Sequence, residues 1–538
     1  MTNPYSNITT RATPQNQPVF GRDMIANAAG GYVFKVSDET RLERFLILGT
    51  AGGTYYIGEN KLTADAAKDL IAFCERDPAK FLSIVRDVSV NGRAYKQQPT
   101  LFALAIACSF GTTETKALAL RSVNDICRTG TMFFNFQGYL EQFRGRGRAV
   151  KTMTRNWYLD RSLGSLQNQL VKYQSRDGWS HRDMIRLAQL RQGTDEQRRA
   201  IRWASDLETD LTGLDFISAF EAAKAATTVD EVIAAIQSVQ LPWEAVPSQW
   251  LREPKVWEAM LPHLGLTALF RNLGRLSNIG LVTHNSAAAK LVSERLVDAQ
   301  QLADQRLHPM QALLALVTYN AGRGVKGDLE WTPVPRVSDA IEEAFYMSFG
   351  NVPSTNKRRF LALDTSGSMS SRFGGTFLRS CEATAAMAMI AVRSEANDVY
   401  VKHFSNEGSR RGWGAPATAA LGDLGFTSRT TLTQATKKAL AENWGGTDCA
   451  LPMTWALKNN IEVDTFEIYT DNDTWAGNIH PFQALKQYRQ KTGIDAKLVV
   501  VSTMATNVSI ADPSDPGMLD VVGFDASAPQ AISYFISS

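Results

Sequence analysis

Two groups of residues in this sequence have types and spacings suited to chemistry. The first is Asp364-Thr365-Ser366-Gly367-Ser368. Its D-x-S-x-S spacing gathers one carboxylate and two hydroxyls around a single turn. Hard oxygen donors of this kind suit Mg²⁺, or another divalent cation such as Mn²⁺ or Ca²⁺, rather than a soft metal. Two later positions supply matching oxygens. Thr447 lies in the loop Gly446-Thr447-Asp448, and Asp471 directly follows the run Phe466-Glu467-Ile468-Tyr469. Asp473 is a rival to Asp471, which is preferred because it follows the strand at once. For D-x-S-x-S by itself a serine-rich turn without metal is a fair alternative; five matching positions weigh against it.

The second group is basic. Residues 144–161 read RGRGRAVKTMTRNWYLDR, with Arg144, Arg146, Arg148 and Lys151 leading. Next come Lys172, Arg176, His181, Arg182 and Arg186, interleaved with Tyr173 and Trp179. Cations of this density neutralise phosphates, and aromatic rings can stack on unpaired bases. A solvated charged face is the competing reading. Trp157, Tyr158 and Trp179 are expected as core more than as base platforms.

Both groups need elements to hold them. The run Phe360-Leu361-Ala362-Leu363 reads as a buried strand, with Asp364 at its carboxyl end, where open α/β sheets bind ligands. Further strands are predicted at 399–404, 465–469 and 497–501, alternating with helices, the first at about 377–395. This alternation predicts a doubly wound α/β domain over 357–538. Residues 22–356 read as many short helices. Examples lie at 62–73, at 99–109 and at 310–319, and Thr228 with Glu231 forms a capping box before Val232. Helix pairs without intervening strands suggest an α-solenoid. Short strands are expected near Tyr32–Phe34 and Thr54–Tyr56. Ser180 and Asp183 cap a helix that places Arg182 and Arg186 on one face. Residues 1–21, rich in Asn, Thr, Pro and Gln, read as a flexible tail.

The chain has 538 residues and a net charge of +3. That total hides a contrast. From 361 onward there are 14 basic and 18 acidic residues, net −4; the remainder carries 43 and 36, net +7. The five cysteines are odd in number and lack C-x-x-C spacing, a reduced pattern that predicts a cytoplasmic protein. No apolar run is long enough for a membrane span, and no secretory h-region is seen. Gly322-x-Gly324-x-x-Gly327 follows a helix, so it reads as a turn rather than a dinucleotide fingerprint. With no H-E-x-x-H and no convincing triad, a binding protein is expected rather than an enzyme.

The five oxygen positions resemble the metal-ion-dependent adhesion site of von Willebrand factor A domains. In that family Ser366 and Ser368 would hold the metal directly, Thr447 directly or through water, and Asp364 and Asp471 through waters. A partner's carboxylate would take the open position. Other segments resemble the Ro autoantigen (TROVE-module) family: Gly53-Thr54-Tyr55-Tyr56, the run from Gln98 to Ala105, Lys172-Tyr173, Gly178-Trp179-Ser180-His181, Arg271-Asn272-Leu273-Gly274 and His308-Pro309. The sequence's divergence points to a bacterial member. The resemblance implies a HEAT-like helical-repeat ring joined to the A domain. It implies that Y-like small noncoding RNA binds outside the ring. Single-stranded 3′ ends of misfolded or structured RNA would enter the central hole for quality control, beside an exoribonuclease. Lys172 and Arg176 match RNA-contacting positions; Gln189 stands where animal relatives have a histidine. A monomer is expected. The competing functions are a metal-dependent protein-interaction module with a helical scaffold, and a metal-dependent hydrolase at Asp364.

Overall fold

Phe360-Leu361-Ala362-Leu363 does form the buried centre of a sheet. The structure, a computed structural model, describes residues 12–50, 59–176, 178–324, 328–350, 352–372, 378–395, 399–406, 419–441 and 445–538. Its strands in chain order are β1 (Ile25–Ala26), β2 (Tyr32–Lys35), β3 (Ser175–Arg176), β4 (Trp179–Ser180), β5 (Arg359–Asp364), β6 (Tyr400–Asn406), β7 (Ala419–Asp423), β8 (Thr465–Thr470), β9 (Lys497–Ser502), β10 (Val508–Ser509) and β11 (Met518–Val522). Thr54–Tyr56, expected as a short strand, lies outside the described residues.

Six strands form one sheet in the order β11-β9-β8-β5-β6-β7. All neighbours are parallel except the edge strand β7, which runs antiparallel to β6. Phe360 and Ala362 share a core with Phe466, Ile468, Leu498 and Val500, under helices 451–458 and 481–492. Helix Ser380–Ser394, rich in Ala and Met, packs on β5 from its own side. Parallel strands buried on both faces need apolar side chains throughout, hence the unbroken runs. One charge is buried among them. Arg359 donates to Glu467 at 2.5 Å and to Glu395 at 2.7 Å, with all three side chains at most 4% exposed.

The sequence divides into two compact units, and the division is not linear. One holds the residues up to Asp69 together with Phe349–Ser538; the other is Leu70–Ser348. The border at Phe349 lies close to the one expected near 357, and the segment up to Asp69 joins the sheet-bearing unit as well. The reason is visible in β2, which pairs antiparallel with β10 and so joins the sheet-bearing unit. Residues 12–21, expected within a flexible tail, also belong there: Gln15 is fully buried and Val19 is 3% exposed. Arg44 reinforces the attachment by donating to Asp520 at 2.7 Å and to the Val508 carbonyl at 2.6 Å.

The unit Leu70–Ser348 is helical. Gln98–Ser109 is buried on most sides, as its apolar composition predicts, and Thr228 and Glu231 make the expected capping box. Residues 243–260 form two 3₁₀ turns and the helix Pro254–Met260. The prolines at 242, 247 and 254 break the run. Late and early segments of this unit meet: the His308 ring bonds the Arg93 carbonyl at 3.0 Å, and Arg306 donates to Val90. After helix Pro309–Asn320 the chain turns at Gly322, with a single bridge between Arg323 and Glu330; Gly327 lies outside the described residues.

Candidate metal centre and nucleic-acid interface

Asp364 ends β5, and the chain turns there into a short 3₁₀ segment, Gly367–Ser370. The Asp364 carboxylate accepts from the Ser366 backbone N–H at 2.9 Å and from the Thr470 hydroxyl at 2.7 Å. These bonds fold the turn back over the strand end. Ser366 and Ser368 stand with their hydroxyl oxygens 3.1 Å apart. The loop carrying Thr447 is joined to this turn by Gly367, which donates to the Gly445 carbonyl at 3.2 Å. Asp471 follows β8, accepts from the Asp473 backbone N–H at 3.0 Å and is hydrogen-bonded by the Ser368 side chain. Asp364, Ser366, Ser368, Thr447, Asp471 and Asp473 are each at most 2% exposed.

Three carboxyls buried together repel one another. Burial, and then the charge of Asp471, push Asp364 up to about 7 and Asp473 to about 8; burial raises Asp471 as well. Both carboxyl oxygens of Asp473 are buried without a hydrogen bond of good geometry, the Ala28 backbone N–H offsetting only part of the burial. A cation held beside them would satisfy such acceptors. The donor set fits a small hard ion: adjacent ligands of an octahedral Mg²⁺, at about 2.1 Å each, stand roughly 3 Å apart, close to the serine spacing. Among the described residues no group of three His, Cys, Asp or Glu side chains forms a metal cage. Any cation here is held by hydroxyls as much as by carboxylates. An imidazole that the sequence did not connect to this turn also reaches it: His403 Nδ1 lies 3.2 Å from the Thr365 hydroxyl.

The basic positions separate into two sets. Outward are Arg148, Arg176, Arg182 and Arg186, all exposed, with Lys151 half-buried. Arg182 pairs with Asp206 at 3.0 Å. Arg146 lies 4.5 Å over the Trp179 ring and bonds Glu141 at 3.1 Å. Inward is Arg144, whose guanidinium donates to the Cys108 carbonyl. Arg155 and Arg161 likewise reach the carbonyls of Ala188 and Cys127. Trp157 and Tyr158 are fully buried.

His181 corrects an expectation. It was predicted as an RNA contact, but it is 2% exposed and both its nitrogens are occupied. Nε2–H donates to the Gln169 carbonyl at 3.1 Å, and Nδ1 accepts from the Tyr158 hydroxyl at 2.9 Å. Burial lowers its pKa to about 4, so the ring is neutral. His181 anchors the helix His181–Ala188, whose Ser180–Asp183 capping box is present and whose outer face carries Arg182 and Arg186. Gln189 closes that helix in the left-handed conformation, at φ 55°.

Lys172 sits apart from the outward set. It lines a cavity of 1290 Å³ within the helical unit and lies 3.6 Å from Glu244. Lys255, Arg271, Tyr173 and Trp243 share the wall. The sequence marks Tyr173 as an aromatic beside the basic run and Arg271 only within a motif, and does not mark Lys255. No local pattern marks residues contributed by separate helices.

Comparison with known proteins fits both units. The Ro60 vWA domain family matches residues 358–536, and the TROVE domain family matches 25–240 and 237–318. The chain is 40% identical to the RNA-binding protein RO60 of Deinococcus radiodurans, over 98% of this chain and 99% of that protein. The chain belongs to the Ro family. A Ro relative from Caenorhabditis elegans, also named RNA-binding protein RO60, is 34% identical over 95% of this chain and 90% of its own length. The crystal structure of the Deinococcus radiodurans RO (RSR) protein matches with a TM-score of 0.69, covering 93% of this chain and 99% of that one. The Ro fold is thus a helical module with an α/β von Willebrand factor A domain, as expected.

Proposed function

We propose that this Ro-family chain binds RNA through its helical unit and assists RNA quality control. The observation that carries this reading is the helix His181–Ala188. It is pinned from beneath by a neutral, fully bonded histidine and offers Arg182 and Arg186 to solvent, beside Arg176 and the Arg146–Trp179 stack. A rigid element with outward guanidiniums suits phosphate contacts on a folded RNA of the Y type. Relatives matched over nearly the whole chain are named RNA-binding proteins, which supports the partner class.

The cavity gives the second surface. Lys172, Lys255 and Arg271 provide cations, and Tyr173 and Trp243 provide rings, a combination suited to an unpaired strand. Glu244 and Glu258 share the wall and limit how much negative charge it accepts. We assign this space to a single-stranded 3′ end rather than to a duplex, because rings beside cations suit unstacked bases. RNAs with frayed ends are then selected, and an exoribonuclease acting on the same ends is a natural partner.

At the A domain, Ser366, Ser368 and Thr447 would hold a Mg²⁺-like cation with Asp364 and Asp471. When bound, the cation supplies a Lewis-acidic position for a partner's carboxylate. Asp364 and Asp471 orient the turn and the hydroxyls that would face the cation.

Filter binding with a hairpin RNA bearing a single-stranded 3′ tail tests the RNA reading. The double change Lys172→Glu and Arg176→Glu should remove most of the affinity. Unchanged binding would sink the assignment of these surfaces.

A further inference from the structure

The loops that carry Thr447 and Asp471 are held from outside the A-domain sequence. Gln15 is fully buried, and its carboxamide is entirely spent on them. Nε2 donates to Asp448 Oδ1 at 2.8 Å and to the Ile479 carbonyl at 2.8 Å, while Oε1 accepts from the Thr474 hydroxyl. The Gln15 backbone N–H adds a bond to the Gly477 carbonyl at 2.9 Å. The same Thr474 hydroxyl accepts from the Cys449 backbone N–H at 3.1 Å, so one atom ties both loops to Gln15.

Asn27 makes a second clamp. Its Nδ2 donates to the Thr474 carbonyl at 2.8 Å and to the Asn472 carbonyl at 3.3 Å, on either side of Asp473. Its Oδ1 accepts from the Ala29 and Gly31 backbone N–H groups, shaping the turn between β1 and β2. Gly31 comes so close to the Thr474 carbonyl that a Cβ there would overlap it. β2 then anchors the segment on β10.

We infer that Gln15 and Asn27 are positioning residues of the metal site, and that segment 13–31 is a strap which completes it. This rests on the metal reading above. Neither residue touches a donor oxygen of the cation. They fix the loops from which Thr447, Asp471 and Asp473 project, as partners behind the ligands commonly do.

The test measures Mn²⁺ affinity of the full chain, with free Mn²⁺ followed by electron paramagnetic resonance. Gln15→Met keeps the volume and removes every side-chain hydrogen bond. Asn27→Ala removes the donor to the metal loops together with the acceptor that shapes the turn, and adds no charge. Each should weaken Mn²⁺ about tenfold. Tyr488→Phe is the stability control. It loses bonds to Val463 and Ile461 at the opposite end of the sheet and should leave Mn²⁺ affinity unchanged. Asp471→Ala should abolish binding. If it does, yet both strap variants bind like the parent, the strap inference is overturned and the metal site stands. Equal weakening by Tyr488→Phe reduces the effect to general stability and also overturns the inference. Parent-like binding by Asp471→Ala overturns the metal reading itself, and the strap with it.

Discussion

At the residue scale, His181 shows how a polar side chain in a conspicuous motif can be structural. Its folded pKa, about 4, lies below the ordinary value of 6.5. Between these values the unfolded chain binds a proton that the folded chain refuses. His181 therefore costs nothing above about pH 6.5, and stability is lost as pH falls from 6.5 toward 4. The full loss is about 3 kcal/mol. In calorimetry, the melting temperature of the helical transition should drop more across this window in the parent than in His181→Phe. Parallel pH profiles would refute the assignment. The second residue-scale case is Arg359, the only cation placed directly between the buried carboxylates of Glu395 and Glu467 among the described ion pairs. Arg359→Met should destabilise the sheet-bearing unit by about 4 kcal/mol, because two buried carboxylates lose their counter-charge. An unchanged melting transition would contradict this. Glu467→Gln keeps the Arg359–Glu395 pair and should cost less.

At the element scale, what was legible in the sequence was what is local. A strand of six buried residues ending in Asp364 shows itself by composition, and the D-x-S-x-S turn by spacing. The capping boxes at Thr228 and Ser180 are likewise four-residue patterns. Strands β1, β3, β4, β7, β10 and β11 were missed, and β1, β3 and β4 are two residues each. β10 is two residues long, and β7 and β11 lie at the sheet edges, where the apolar signal is weak. The strap was illegible for a different reason. Gln15 and Asn27 are ordinary polar residues, and their partners lie more than 430 positions away. The basic stripe was legible as charge but not as direction. Arg144 and Arg182 look alike in sequence, yet one reaches a buried carbonyl and the other faces solvent. This gives an element-level prediction. Arg144→Ala should lower stability and leave RNA affinity within about twofold, whereas Arg182→Ala with Arg186→Ala should weaken RNA at least tenfold and leave the melting temperature unchanged. The reverse pattern in paired melting and filter-binding assays would show that the two sets were assigned the wrong way round.

At the scale of the whole molecule, the compact units redistribute the charge. The unit Leu70–Ser348 carries 33 basic and 29 acidic residues, net +4, and the remainder is −1. The contrast of +7 against −4 was therefore partly an effect of where the chain was cut. RNA affinity must then come from local clusters such as Arg176, Arg182 and Arg186, rather than from a general field. The proposed metal site lies in the other unit, so RNA binding and metal binding should be separable. The most direct test is the salt dependence of RNA binding, measured for the parent, for Arg182→Ala with Arg186→Ala, and for Asp364→Ala. The account predicts a steep fall of affinity with salt in the parent. The arginine pair should lower the magnitude of the log–log slope by about 1.5, and Asp364→Ala should leave both slope and affinity unchanged. A parent-like slope in the arginine variant, or loss of RNA binding in Asp364→Ala, would contradict it.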